Sequence, residues 1–305
     1  MTEANSNPAT KSPEISIPES ERPPVFRFGW KPDSIDRRDC KLVMPGKLKY
    51  PKTCDLRSKF KQPDIYNQGD LGSCTANAIG FAYQFCTIAQ NNTIKFQPSR
   101  LFIYYNERVI EDSVNEDAGA ELRDGMKSIN HTGVCCELNW PYDISQFKVK
   151  PPPLCYAEAT TRKSIKYKRV VCNIDNIKYA ISTGFPVVFG FYVYESFTKI
   201  GKDGIMQMPN FKTERFLGGH AVAAVGYDEK YLIVRNSWGA QWGDHGYFKM
   251  PLAYIHPSRT SDFWLLISIT NPLKHARIES EFECSESQPP AKRAKINEEK
   301  TNKKH

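Results

Sequence analysis

The chain has 305 residues, 40% hydrophobic and 25% charged, an ordinary globular balance with enough length for one large domain or two modest ones. Its net charge of +8 is uneven: residues 289–305 hold six Lys or Arg against two Glu, and the mildly basic remainder argues against a nucleic-acid-binding core. The longest apolar run, FPVVFGFYVY from Phe185, has ten residues against roughly eighteen for a membrane span, and the N-terminus lacks the basic and apolar regions of a secretory signal.

These features predict an intracellular protein, cytoplasmic or nuclear, or one packaged from a cell interior, with no membrane partner. Nine cysteines, an odd number without a signal peptide, predict mostly reduced thiols. There is no CxxC pair and no HExxH, so no metal site is expected.

Residues 1–25 are rich in Pro, Ser and Glu and read as a disordered tail. From Val25 the composition changes, and Phe26, Phe28 and Trp30 become apolar anchors among prolines and charges. Apolar spacings of three and four predict a helix from Cys74 to about Ala89. Pro98 suits the first turn of a second helix over SRLFIYYNERVI, and AELRDGMKSIN predicts a third, ended near Gly133. After the prolines at 151–153 the pattern turns to short β-branched and aromatic strands: KYKRVV, PVVFGFYV, HAVAAVGY, YLIVRNSW, GYFKM and FWLLISI. One helix, NIKYAISTG, interrupts them, with Asp175 as the expected N-cap and Gly184 past its end. A helical half followed by a strand half is an α+β layout, with a natural site in the cleft between. The closing stretch 271–305 reads as a charged, largely disordered tail.

Three stretches carry the chemistry. QGDLGSCTANA (68–78) sets Cys74 at a helix N-terminus, where unpaired N–H groups and the helix dipole favour a thiolate. GGHAVAAVGYD (from Gly218) and RNSWGAQWGDHGYF (from Arg235) each set a polar residue, His220 and Asn236, beside a buried strand. Taken singly, Cys74 reads as a buried structural thiol, His220 as a satisfied core histidine, Gln68 as a loop residue and Trp238 as a core aromatic. Together, in this order and spacing, they resemble the papain-like cysteine peptidases over roughly residues 50–270.

The resemblance implies a two-domain fold, a helical half (about 50–150) against an antiparallel β-barrel-like half (about 151–270), with the site in the cleft. It implies Cys74 as nucleophile, His220 as base and acid, Asn236 orienting His220, and Gln68 as the oxyanion donor, hydrolysing peptide bonds through an acyl-enzyme without a cofactor. Trp238 matches the tryptophan that shields the Asn–His pair. Gly119, Gly218 and Gly219 match glycines that flank bound substrate. Leu71, where secreted members carry a disulfide cysteine, and Thr75, in place of an aromatic, resemble the bacterial and large-DNA-virus branch. The implied partners are protein or peptide substrates. The same triad also serves isopeptidases and acyl transferases, and a silent nuclear interaction protein is the reading from another class. PPAKRAK (289–295) is expected to meet an import receptor or acidic partner, or to act only as a solvated tail. Residues 26–49 precede the mature-like start and are a candidate prosegment. Three aromatics there need cover, worth about 2 kcal/mol each, and either the cleft or the back of a domain can supply it.

Overall fold

The computed structural model describes residues 26–47, 49–91 and 96–269. The expected tails at 1–25 and 271–305, with the basic run 289–295, lie outside the described residues.

Two short strands open the chain, β1 (Trp30–Lys31) and β2 (Cys54–Asp55). The long helix α1 (Cys74–Asn91) follows; it is buried along almost its whole described length, as a helix apolar on most faces must be. It packs against α2 (Arg100–Ile110) and α3 (Leu122–His131) on one side. Between those two helices, β3 (Ala120–Glu121) pairs in parallel with β1, Trp30 opposite Ala120. The short α4 (Pro153–Ala159) then leads to the sheet, made of β4 (Ser164–Val170), β5 (Val187–Tyr194), β6 (Phe216–Tyr227), β7 (Tyr231–Arg235), β8 (Tyr247–Pro251) and β9 (Thr260–Ile269). Helix α5 (Ile174–Ser182) separates β4 from β5. The strands run β4-β9-β5-β6-β7-β8, antiparallel throughout, with β2 added on β6. The other side of α1 lies on β6 and β9, so one helix joins the two halves. This is the α+β arrangement of a helical half against an antiparallel sheet.

The helix ends differ from expectation in instructive ways. Helix α2 starts at Arg100, with Ser99 as its N-cap: Ser99 Oγ accepts from Phe102 N–H at 3.1 Å, and Pro98 stays outside. The hydroxyl satisfies an orphan donor, which a proline cannot do. Likewise Asn173, not Asp175, caps α5, accepting from the N–H groups of Asp175 and Asn176. The prolines at 151–153 do not merely divide the halves, since Pro153 opens α4 at the position where a missing N–H costs nothing.

Residues 33–42 are fastened to both halves by buried charge. Arg123 on α3 holds Asp39 through Nε and Nη2 at 2.9 and 2.8 Å. Arg169 on β4 reaches Asp33 at 3.1 Å, Asp39 at 2.9 Å and Asp262 on β9 at 2.6 Å. The Trp264 indole donates to Asp33 at 2.8 Å, and the Asp33 N–H donates to Asp262 at 2.7 Å. The backbone joins in, with Leu42 N–H on the Arg169 carbonyl and Arg169 N–H on the Cys40 carbonyl, both at 2.8 Å.

Candidate active site

Cys74 is the first residue of α1 and is fully buried. The next residue, Thr75, donates its hydroxyl to Glu107 on α2 at 2.8 Å. A hydroxyl here, in place of an aromatic, thus ties the start of α1 to a neighbouring helix. Leu71, two residues before the turn into α1, is buried in the core rather than crosslinked.

On the opposite wall, β6 and β7 are neighbours. Ala223 pairs with Arg235, so His220 on β6 and Asn236 just beyond β7 come together. His220 Nε2 lies 2.8 Å from Asn236 Oδ1, leaving Nδ1 as the ring nitrogen with no hydrogen-bond partner. The backbone N–H of Ala221, the residue after His220, acts on Cys74 to favour its thiolate. Trp238 covers the pair, its ring centroid 4.9 Å from that of His220. Asn236 Oδ1 also accepts from the Ser237 N–H at 2.8 Å, which fixes the amide orientation.

Gln68 is buried beside them. Its Oε1 accepts from Ser237 Oγ at 2.6 Å, and its N–H donates to the Ser237 carbonyl at 2.8 Å. With the carbonyl end so held, Nε2 is the end that points into the cleft, and it donates to the Leu71 carbonyl at 3.0 Å and the Arg27 carbonyl at 3.2 Å. Ser237 was not singled out by sequence. Only its place after Asn236 could have suggested it.

Residues 26–31 occupy the seam between the halves. The Phe26 ring lies 4.2 Å from Trp238, and Phe28 meets both His220 and Trp238 edge-on at 6.1 Å. The Gly29 N–H likewise favours the Cys74 thiolate, while the Gly29 carbonyl accepts from Ala120 N–H at 2.8 Å. Trp30 is buried against β5 and β6.

The three flanking glycines all lie along this stretch. A Cβ on Gly119 would stand 2.0 Å from the Gly29 carbonyl oxygen, one on Gly218 2.8 Å from Phe28 Cβ, and one on Gly219 2.3 Å from the Trp30 carbonyl oxygen. Gly119 therefore makes room, whereas the donor to the segment is Ala120; the N–H of Gly119 itself goes to the Tyr104 hydroxyl at 3.2 Å.

Burial sets the charge state of the pair. It pushes the Cys74 thiol up to about 11, against the backbone N–H groups of Ala221, Gly29 and Thr75, with the buried Glu107 adding to the rise. It presses His220 down to about 4, opposed by the bond to Asn236. Both groups are thus neutral under the segment at ordinary pH. Among the described residues, Cys54, Cys86, Cys135, Cys136, Cys155 and Cys172 are free thiols as well, but none of them is the first residue of a helix.

Comparison with known proteins identifies the family. Residues 50–256 match the model of the papain family cysteine protease, Peptidase_C1. An uncharacterised peptidase C1-like protein of Acanthamoeba polyphaga mimivirus is 49% identical over 235 residues, 72% of this chain and 75% of that one. The crystal structure of xylellain, a cysteine protease from Xylella fastidiosa, superimposes with a TM-score of 0.73 at 40% identity, covering 79% of this chain and 96% of the other. Procathepsin B S9 from Trypanosoma congolense shares the fold at a TM-score of 0.63 and 15% identity, over 80% of this chain and 87% of the other. The chain belongs to the papain family of cysteine proteases, on the branch that includes viral and bacterial members.

Proposed function

We propose that this protease hydrolyses peptide bonds through Cys74, His220 and Asn236, and that the chain as described is its zymogen form. The observation that carries the reading is the joint placement of a helix-N-terminal thiol, a histidine whose Nε2 is held by Asn236, and a glutamine amide aimed into the same seam. With the cleft open, the thiol gives its proton to His220 Nδ1 and the thiolate attacks the substrate carbonyl carbon. Gln68 Nε2 and the N–H at the start of α1 receive the developing oxyanion. The imidazolium protonates the leaving amine, then activates the water that releases the acyl group. Asn236 fixes the ring in the orientation both steps need.

The segment supports the zymogen part. The Arg27 carbonyl already occupies the Gln68 donor, and Phe26 and Phe28 lie on Trp238 and His220. A chain lying this way fills the site where a substrate would bind. The test is Cys74→Ala set beside the native thiol, after the segment is displaced by substitution at Gly29. An epoxysuccinyl peptide should label the native thiol stoichiometrically, and Cys74→Ala should lose both label and hydrolysis, a loss of many orders of magnitude in rate. Appreciable turnover by folded Cys74→Ala would overturn the assignment.

A further inference from the structure

A carboxyl that the chemistry above does not use lies behind Cys74. Glu107 on α2 is fully buried, and its Oε2 accepts from the hydroxyl of Thr75, the residue after Cys74, at 2.8 Å. Its Oε1 is buried as well and has no hydrogen-bond partner among the described residues. The cause is local: a Cβ on Gly125 of α3 would stand 2.3 Å from that oxygen and 2.3 Å from Ile79 Cδ1. Oε1 therefore rests on hydrocarbon, a glycine Cα and an isoleucine methyl. Glycine inside a helix costs about 1 kcal/mol against alanine, and here it makes room for the carboxyl.

The charged groups around Glu107 are engaged elsewhere. Arg108 spends its donors on the carbonyls of Tyr104, Val114, Glu116 and Phe147. The other two that act on Glu107 are anions, Glu111 and Asp124, and each has its own lysine, Lys31 and Lys127. A buried carboxylate with one oxygen unpaired carries a heavy desolvation penalty, whereas the neutral acid leaves only a hydroxyl without an acceptor. Burial, opposed by the Thr75 hydroxyl and Arg108 and reinforced by Glu111 and Asp124, holds this carboxyl well above the usual carboxylate range.

We infer that Glu107 keeps its proton in the working protease and is a positioning residue, anchoring Thr75 at the start of α1 without setting an anion beside Cys74. The inference rests on Cys74 as the nucleophile, as proposed above. An ionised Glu107 raises the Cys74 thiol, so it would compete with the thiolate for the positive end of α1. A carboxylic acid accepts the same Thr75 hydroxyl with no such competition. The first turn of the helix is then held by a neutral bond.

Carbon NMR of the full chain, with its glutamate carboxyls isotope-labelled, reads the proton directly. At pH 7 one carboxyl should keep the shift of a free acid while the others are ionised. Glu107→Gln should remove that signal, and Thr75→Val should move it. A spectrum of the unmutated chain with every glutamate ionised at this pH overturns the proposal, whether or not the variants fold. Charge at Cys74 is scored in the chain opened by Gly29→Ala, as the rate of alkylation by iodoacetamide at pH 7. Adding Glu107→Gln should leave that rate within about twofold, since one neutral group replaces another. Acceleration beyond that would show that Glu107 had been charged, and would overturn the proposal. For a peptide substrate, Glu107→Leu, which cannot hold Thr75, should lower kcat about tenfold with KM unchanged, and Glu107→Gln should restore it. An unchanged kcat in Glu107→Leu, or a loss that Glu107→Gln does not rescue, overturns the positioning role. No hydrolysis by Gly29→Ala itself, with the acid signal present and the alkylation rates equal, would break the peptidase reading and leave the proton on Glu107.

Discussion

Two stretches of the N-terminal segment press on the body and treat charge in opposite ways. From Phe26 to Trp30 the contacts with Gln68, Ala120, His220 and Trp238 are neutral, made by carbonyls and rings. The contacts of this stretch with charged groups are the exposed Arg27–Asp70 pair and the Trp30 indole on Asp262. From Asp33 to Leu42 the contacts are ionic, with two carboxylates buried against Arg123 and Arg169. The neutral stretch removes water from Cys74 and His220 and supplies no countercharge. The ionic stretch compensates each buried charge with another and spans both halves, since Arg123 sits on α3 and Arg169 on β4. Occlusion and anchorage are therefore separate tasks, handled by different chemistry a few residues apart.

The largest expected effect comes from breaking occlusion alone. A Cβ on Gly29 would stand 1.7 Å from the backbone carbonyl oxygen of Gly72, so Gly29→Ala cannot keep the segment in the seam. With Cys74 at about 11, only about one thiol in 10⁴ is ionised at pH 7. Relieved of burial, at a helix N-terminus, the thiol returns at least to the ordinary range near 8.5. Iodoacetamide should then alkylate Cys74 of Gly29→Ala at least ~10²-fold faster at pH 7. The sign is fixed by the direction of the shift: the native rate should keep climbing with pH toward about 11, and the variant rate should level off earlier. Peptide mapping of the alkylated chain, as a function of pH, measures both. Equal rates would mean that the segment does not set the ionisation of Cys74.

Weakening the anchor should have a smaller effect, and its size separates buried from exposed charge. Asp39→Asn removes a carboxylate that pairs with both guanidiniums, and hydrogen bonds to charged groups contribute about 1.5–3 kcal/mol. The population with an open seam should rise at least tenfold, read as the same alkylation rate. Asp70→Ala removes the partner of Arg27, a pair with side chains 50% and 55% exposed. Such pairs contribute about 0–1 kcal/mol, so the rate should change by less than about fivefold. An Asp70→Ala effect as large as that of Asp39→Asn would erase the distinction between the two stretches.

What sequence disclosed about these regions follows the range of the forces involved. The placement of Cys74 at a helix start, of His220 on Asn236 and of Gln68 beside them was legible because a motif fixes their local backbone, and α1 because its apolar period is long. The helix starts were misplaced by one or two residues, since Pro98 and Ser99, or Asn173 and Asp175, offer competing local signals that side-chain hydrogen bonding decides. Strands β1 and β3 are two residues each and exist only because they pair with one another, so no periodicity could announce them. Three aromatics in need of cover could be read from Phe26, Phe28 and Trp30, though not which surface would cover them. The roles of Ser237, Ala120 and Asp262 depend on partners 169, 91 and 232 residues away, and no local pattern encodes them.

The smallest expected effect concerns pH and the anchor. Burial, then the neighbouring Asp262 carboxylate, raises Asp33 above the usual carboxylate range, opposed by the Arg123 N–H, the Trp264 indole and the Arg123 charge. Arg169 and Asp39 complete its surroundings. A carboxyl raised when docked and ordinary when free takes up a proton on docking. Docking is then strongest below the ordinary carboxylate range, weakens as pH rises toward the raised value, and is flat above it. Acid should therefore tighten this anchor rather than release it. The Ala120 amide, bonded to the Gly29 carbonyl, gives a readout independent of the thiol: its hydrogen-exchange protection factor should fall as pH rises from about 5 to neutrality. Asp33→Asn, which cannot titrate, should flatten that dependence while leaving protection measurable. Protection that rises with pH would reverse the sign and assign the pH response to another group in the network.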